Sequence, residues 1–534
     1  MEAHLQEEKQ YPVVVVGGSL VGLSTALFLA WRGIPSLVVE KHPGTSIHPR
    51  AGGFNARTME IYRSVGMEAT IRANEPRQMQ ASGTLRVETL AGKEINWYTH
   101  NINEIDDEIT PVRGSFISQA LLEPLLLERA RELGAEVRFR TELVAFEQDA
   151  AGVTVTLKNR ETGAIHTVRT SYLIAADGYK SPMRNALGIP FDGYGKLSDH
   201  VSIFFEADLK EALRGRHFAV CYVDNPRVQG VLGIMDETAR EALFAITVPP
   251  GETVESYDQQ RCIEALRAAI GIPDLDVHLK AVLHWVLASN LAERYQQGRI
   301  FLAGDAAHVV PPVGGFGANT GIQDAHNLAW KLALVLKGVA SPALLTTYEA
   351  ERRPVAELVG EQAFAGYAVR MSPHVAEQAR HIQPIDFYTL MLGYQYHSAA
   401  IIEEPGSEGL RYEANLRQPS SVPGTRAPHV ALERDGQRIS TLDLFGGDFV
   451  LLTGSRTWCE AAGTAARRFE LDLDCYLLGA DLHDLTGDFF KTYGITPDGA
   501  VLVRPDGFIA WRSATAGEEP ENTLAQIVTR ILAR

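Results

Sequence analysis

After a polar, acidic stretch from Met1 to Gln10, the chain opens on an unbroken apolar run, Tyr11 to Val16 (YPVVVV). A β-branched run with no polar side predicts a parallel strand buried on both faces. LSTALFLAWRG then carries apolar residues at helical spacing up to Gly33, and Ser36 to Val39 predicts the next strand. Strand, helix and strand in that order make a βαβ unit. Farther on, Phe116 to Gln119 leads into LLEPLLLERARELG, a predicted helix with Pro124 early and Gly134 near its end. Val137 to Phe139, Val153 to Leu157 and Tyr172 to Ala176 read as strands. From about Ile189 to His284 the pattern changes to short runs separated by turns: VSIFFEADL, HFAVCYV, VQGVLGIM and LFAITV. These predict an antiparallel sheet with one covered face, and Gln78 to Asn103 alternates similarly. Ile300 to Ala303 returns the chain to the first layer as a short strand. A loop with Pro311-Pro312 and Gly314-Gly315 follows, then a helix from near Asn319 with Ile322, Ala325, Leu328, Ala329, Leu332 and Val335 on one face. A second long helix is expected from Leu344 to about Arg370.

Near Glu403 to Ser421 the composition shifts to proline, glycine and serine, which predicts a link. Beyond it Phe449 to Thr453, Asp474 to Leu478, and a hairpin of Val501 to Val503 with Phe508 to Trp511 read as strands. Trp458 to Arg468 and Thr523 to Leu532 read as helices. The expected organisation has one discontinuous domain (1–75, 104–188 and 286–400) and a middle domain (76–103 and 189–285). A link (401–421) and a C-terminal domain (422–534) complete it.

Composition narrows the partners. With 45% hydrophobic and 22% charged residues, the 534-residue chain has the balance of a soluble globular protein. A net charge of −16 disfavours nucleic acid. No signal peptide and no membrane span are expected. Cys221, Cys262, Cys459 and Cys475 stand apart with no CxxC pattern, which predicts reduced thiols and a cytoplasmic protein.

The chemistry concentrates in three stretches. The first is Gly17-Gly18-Ser19-Leu20-Val21-Gly22, with Glu40 at the end of the next strand. A tight glycine turn at a helix N-terminus holds a pyrophosphate, and a carboxylate there takes a ribose. Ser19 stands where GxGxxG has its second glycine, and the plain alternative is an unliganded βαβ turn. The second is Asp177-Gly178 with Ser181 and Arg184, at the carboxyl end of a strand where open α/β sheets bind ligands. The third runs from Arg299 to Lys331, with Gly304-Asp305 at the strand end and glycines before a helix start. It suits a flat, electron-rich ring with a hydroxylated chain. Arg50 and Arg57 are the cations of the loop and helix from Pro49 to Ser64, with a solvated charge as the plain alternative.

In this order, GGSLVG with Glu40, DGYKSPMR and GDAAHVVPPVGGFGANTGIQD resemble the single-component FAD aromatic hydroxylases, the class of p-hydroxybenzoate hydroxylase. GYAVRMSPHVAE and the C-terminal unit are similar to the polyketide-hydroxylating branch of aklavinone and angucycline hydroxylases. The resemblance implies an α/β fold: a Rossmann-like FAD-binding domain, an antiparallel-sheet substrate domain and a thioredoxin-like C-terminal domain. It implies non-covalent FAD, with Gly17, Ser19, Leu20, Val21 and Gly22 at the pyrophosphate and Glu40 and Lys41 at the adenosine ribose. Arg50 and Gln119 would contact the phosphate–ribityl region, Asp177 both FAD and NAD(P)H, and Asp305 the ribityl chain. Pro312, Gly315, Gly317, Ala318 and Asn319 would line the isoalloxazine. NADPH or NADH would reduce the flavin, O2 would form a C4a-hydroperoxide, and a phenolic aromatic polyketide would be hydroxylated, in antibiotic biosynthesis or tailoring. Arg370 and Tyr222 are the catalytic candidates, with a surface arginine and an ordinary half-buried strand tyrosine as the plain alternatives; His284 and Trp285 would back the site or belong to the core, and His308 is packing rather than catalytic. Cys459, without a second thiol, would make the C-terminal domain inert as an oxidoreductase. A homodimer is expected. The alternatives are a flavin monooxygenase acting on another phenol or antibiotic, and a non-catalytic flavin- or polyketide-binding protein.

Overall fold

The computed structural model describes residues 10–47, 50–76, 83–101, 106–249, 251–371, 375–407 and 409–534. Its first sheet runs, in order, Gln296–Gln297, Ile300–Leu302, Ile165–Ala175, Tyr11–Val16, Ser36–Val39 and Glu136–Arg138. Val153–Asn159 and Thr141–Gln148 extend it as an antiparallel flap. Val13, Val14, Val15, Leu37, Leu173 and Phe301 have no solvent exposure, as apolar runs demand of a sheet covered on both faces. The helix Leu20–Trp31 packs on the helices Gln119–Glu132 and Phe316–Leu336. That contact needs glycine: a Cβ on Gly304 or on Gly321 would lie 2.7 Å from Val21 Cγ2.

The second sheet has eight strands, in order His308–Val309, His278–Ala292, Phe191–Glu206, Glu241–Thr247, Val228–Ile234, Phe218–Asn225, Gly83–Val87 and Glu94–Thr99. All neighbours are antiparallel except Phe218–Asn225 with Gly83–Val87. Two of these strands are long and bulged rather than short, and the helix Gln259–Ile270 breaks the run of strands. Val201, Ile203, Phe205 and Phe244 bury one face of the sheet against Cys262, Leu266 and Ala269 of that helix. Side chains alternate along a strand, so Ser198, His200 and Ser202 point the other way. There Trp285 and Leu287 pack with Val313 of the proline–glycine loop and with Phe364 and Tyr367 of the helix Thr347–Arg370.

In the C-terminal region a sheet of order Leu473–Leu477, Phe449–Thr453, Ala500–Val503, Ile509–Ser513 packs with the helices Arg456–Phe469 and Pro520–Ile531. Here one expectation fails. Cys459 and Cys475 are not separate thiols but a disulfide, because the first helix lies over the neighbouring parallel strand and brings their Cα atoms to 5.5 Å. Cys221 and Cys262 are free and buried. The stretch rich in proline, glycine and serine is not a loose tether either. Arg512 grips Glu404 with two hydrogen bonds of 2.6 and 2.8 Å, and Ser407 and Ser421 are buried. Among the described residues, no helix is long and apolar enough to cross a membrane.

Candidate functional site

The turn after the first strand is built from close approaches. Gly17 has φ +109°, and a Cβ there would lie 2.1 Å from Ala176 O; one on Gly22 would lie 1.8 Å from Gly17 O. Gly18 N–H donates to Glu40 Oε2 at 2.7 Å, while Glu40 Oε1 accepts from His42 N–H at 2.8 Å. Glu40 is buried at the strand end with Lys41 exposed beside it. Ser19 does not cap the helix it precedes; its hydroxyl donates to Glu123 Oε1 at 2.5 Å. Gln119 Nε2 reaches both Ser19 Oγ (2.9 Å) and Glu123 Oε1 (2.7 Å), and Glu123 Oε2 accepts from Ser46 N–H. The serine in the second glycine's place therefore anchors a buried carboxylate that sequence reasoning missed. The helix has no acid in its first turn, and the N–H groups of Leu20, Val21 and Gly22 have no partner among the described residues. Such a terminus fits a pyrophosphate.

Gln119 also joins this turn to the next loop: its N–H donates to Ala51 O at 2.7 Å, beside the exposed Arg50. Asp305 lies on a short 3-10 turn, reached by solvent from one side and walled by protein elsewhere. That burial raises its carboxyl above the ordinary value, and the charges of His308 and Arg50 oppose the rise. Asp177 accepts from Ser181 Oγ (2.6 Å) and Met183 N–H (3.1 Å), and burial likewise raises it. Arg184 donates to Ala306 O at 2.9 Å and to Tyr179 O at 3.0 Å. The Asp177 motif is thus a clasp that locks one strand end to the Asp305 turn.

The helix after the glycine loop starts at Phe316, three residues before the expected Asn319, because Gly315 takes the left-handed N-cap conformation (φ +68°). It too lacks a side-chain cap and an acid in its first turn. Pro312 and Gly315 are exposed and Gly317 and Ala318 half-buried there. Asn319 is buried and already engaged: it accepts from Asn55 N–H (2.9 Å) and donates to Gly315 O (2.7 Å) and Gly53 O (3.2 Å). It ties the Gly53–Asn55 loop to the glycine loop at the start of this helix. Below it Asp324 accepts from Gly304 N–H (3.1 Å), His308 Nε2–H (2.6 Å) and Arg352 Nε–H (2.8 Å). Burial pushes the Asp324 carboxyl up, but His308 and Arg352 outweigh it and hold it below its ordinary value. His308 is therefore part of a buried ionic support and not simple packing. Arg57 is instead a buried structural cation, held against Glu60 (3.0 Å), Asp506 O (2.7 Å) and the Phe508 ring.

Across the second sheet, register places Arg86, Tyr222, Val231, Ala245 and Ser202 in one row on the face opposite its buried core. The Tyr222 ring meets Tyr98 edge to face at 5.9 Å, and the Arg370 guanidinium lies 4.9 Å over the Tyr98 ring. The two catalytic candidates thus come together through a residue the sequence did not single out. No acid pairs with Arg370 among the described residues. Deeper in this face, Tyr367 donates to Ser198 Oγ (3.1 Å), which bonds His200 Nε2 (2.8 Å); His200 stacks on Trp285 at 4.4 Å. His284 is exposed on the far side of its strand.

Residues 10–363 match the family described as FAD binding domain, and residues 420–534 match the aromatic-ring hydroxylase C-terminal family. A 4-methyl-5-nitrocatechol 5-monooxygenase from Burkholderia sp is 45% identical, covering 98% of each chain. An aklavinone 12-hydroxylase from Streptomyces purpurascens is 39% identical over 99% of this chain and 100% of its own. The crystal structure of aklavinone-11 hydroxylase with FAD and aklavinone superposes with a TM-score of 0.93 at 38% identity, covering 99% of this chain and 100% of that one. The chain belongs to the FAD-binding aromatic-ring hydroxylase family: it is a flavin-dependent monooxygenase.

Proposed function

We propose that this enzyme hydroxylates a phenolic aromatic polyketide of the anthracycline or angucycline type, with NAD(P)H and O2 as co-substrates. The observation that carries the reading is the row from Arg86 through Tyr222 to Ser202. Its Tyr222 meets Tyr98, over which lies Arg370, a cation with no acid partner among the described residues, and the row faces the side on which Val313 of the proline–glycine loop packs. Gly17, Ser19, Leu20, Val21 and Gly22 would hold the FAD pyrophosphate, and Glu40 and Lys41 the adenosine ribose. Arg50, Gln119 and Asp177 would border the phosphates and ribityl chain, with Asp305 on the ribityl hydroxyls. Pro312, Gly315, Gly317 and Ala318 would line the ring, positioned by Asn319. Bound FAD, once reduced, activates O2 and supplies an electrophilic oxygen to the substrate ring. The uncapped N-terminus of the Phe316 helix stabilises negative charge beside it. The Arg370 guanidinium stays cationic and favours an ionised phenol, since an opposite charge within ~4–6 Å lowers an acid's pKa by about 1–3 units. Tyr222 offers a hydroxyl at the same place, and Trp285, Leu287, Val313 and Phe364 form an apolar cluster on the same face that would exclude water. The C-terminal sheet with its packed helices is in keeping with a thioredoxin-like fold. The setting inferred is cytoplasmic, with a homodimer as the assembly to be checked by sedimentation.

A second reading, a small nitro-substituted catechol as substrate, is favoured by the 45%-identical Burkholderia relative. The purified holoenzyme given NADPH, O2 and either aklavinone or 4-methyl-5-nitrocatechol separates the two. A product one oxygen heavier than aklavinone supports the first; turnover of the nitrocatechol alone supports the second.

A further inference from the structure

Arg370 is the last residue of the helix Thr347–Arg370, where carbonyls run out of partners within the helix. Met371 N–H closes back on Tyr367 O at 2.9 Å. The carbonyl of Arg370 itself accepts from Arg86 Nη2–H at 2.7 Å. Arg86 stands on the strand Gly83–Val87 of the second sheet, beside Tyr222 on one neighbour and Asn96 on the other. This bond therefore joins the substrate-facing row to the end of the helix that carries the catalytic arginine. A cation there also meets the negative end of the helix dipole. Little else engages the Arg86 guanidinium. The Asp224 carboxylate is 3.7 Å away, and Arg86 Nε is buried without a partner.

We propose that Arg86 is a positioning residue for hydroxylation: it fixes the last turn of this helix, and so sets where the Arg370 guanidinium lies over Tyr98 beside Tyr222. The inference rests on reading Arg370 as the group that favours the ionised phenol. Coulombic help to a phenolate falls with distance, so a frayed last turn would lose it while leaving the flavin site intact. The charged groups around the contact are Arg370, Asp224 and Arg86 itself, with the hydroxyls of Tyr98 and Tyr222. Arg86 thus makes placement of the ring by the sheet and placement of the charge by the helix a single event.

The test compares Arg86→Gln, Arg86→Lys, Arg370→Gln and the double variant Arg86→Gln/Arg370→Gln as full-length holoenzymes with aklavinone. FAD content, reduction by NADPH, melting temperature and the ratio of hydroxylated product to hydrogen peroxide are read across pH. Arg86→Gln is expected to keep its FAD and its reduction rate while the product ratio falls about tenfold near neutral pH, the scale of one lost charge-assisted hydrogen bond. The ratio should recover as rising pH ionises the phenol unaided. Arg86→Lys should restore most of it, and the double variant should be no worse than Arg370→Gln. A wild-type ratio in Arg86→Gln beside a lost one in Arg370→Gln overturns the proposal alone. So do independent, multiplying effects of the two substitutions, or loss of FAD and melting temperature in Arg86→Gln with no rescue by lysine. A wild-type ratio in Arg370→Gln removes the reading of Arg370, and the positioning role with it.

Discussion

His200 has no solvent exposure, and burial lowers it from 6.5 to about 4. Below pH 6.5 the unfolded chain takes up a proton there that the folded chain refuses until about pH 4. Within that window the unfolded state binds more protons, so stability falls as pH falls, by about 3 kcal/mol in total. His326, lowered to about 3 by burial and by the charges of Arg57 and Arg32, acts in the same sense. The urea midpoint should therefore drop between pH 6.5 and 4, and His200→Gln should flatten that slope by one proton. An unchanged slope in the variant would show that His200 titrates normally. Asp305 makes a ligand-linked prediction. It is exposed, while Ala303, Ala306 and Ala307 beside it are buried in the apolar core, so Asp305→Ala should weaken FAD binding by about 1.5–3 kcal/mol. The melting temperature of the apoprotein should stay the same. Flavin titration of the apoprotein measures the first, and wild-type affinity would take Asp305 out of the site.

At the scale of elements, the Cys459–Cys475 disulfide ties the helix Arg456–Phe469 to the strand Leu473–Leu477, 16 residues apart in sequence. Closing a loop of that size contributes about 3 kcal/mol by limiting the unfolded chain. Reduction with dithiothreitol, or Cys459→Ser, should lower the melting temperature of the C-terminal region and leave the product-to-peroxide ratio unchanged. A ratio that falls on reduction would give this pair a part in turnover. Its pairing was invisible in the sequence because helix and strand bring the sulfurs together only after packing. Other elements were plain: YPVVVV, SLVV and FVLLT appear as strands Tyr11–Val16, Ser36–Val39 and Phe449–Thr453, since an unbroken apolar run permits little else. His278–Ala292 was not, because polar residues interrupt it and its partner strand is bulged. The start of the Phe316 helix was misplaced by the conformation of one glycine. At the site, the glycines, Glu40 and Asp305 were legible as motif chemistry. Glu123, Asp324, Tyr98 and Arg86 were not, because their partners lie far away in sequence and only the fold assembles them.

On the scale of the whole molecule, the C-terminal region closes the core of the first layer instead of standing beside it. The hairpin turn at Arg504 and Asp506 enters between the Phe316 and Thr347 helices, and all its charges are buried. Arg504 donates to Glu351 (2.6 and 2.8 Å) and to Asp506 (3.0 and 2.5 Å). Lys331 Nζ donates to Glu351 at 2.8 Å, Trp330 Nε1 to Asp506 at 3.2 Å, and Arg57 to the Asp506 carbonyl. Arg426 adds a second tie, to Glu60 at 2.6 and 2.9 Å. Two cations, Arg504 and Lys331, thus balance two anions, Glu351 and Asp506, with almost no water to share the charge. Removing one partner from such a set costs about 3–5 kcal/mol, because a buried charge is left unmatched. Asp506→Ala should therefore unfold at markedly lower urea near pH 7. The excess charge then is positive, and Lys331 is the group able to shed it. Burial already lowers Lys331 to about 8, and without Asp506 its pKa must fall farther. Above about pH 8 both proteins gain alike, but between pH 7 and about 8 only the folded variant holds a neutral lysine while its unfolded chain still binds the proton. Unfolded chains then hold more protons, so the variant regains stability relative to wild type. Urea unfolding of both proteins at pH 7 and 9.5 measures this; a deficit that stays constant or grows would mean that Lys331 is not the group that relieves the imbalance.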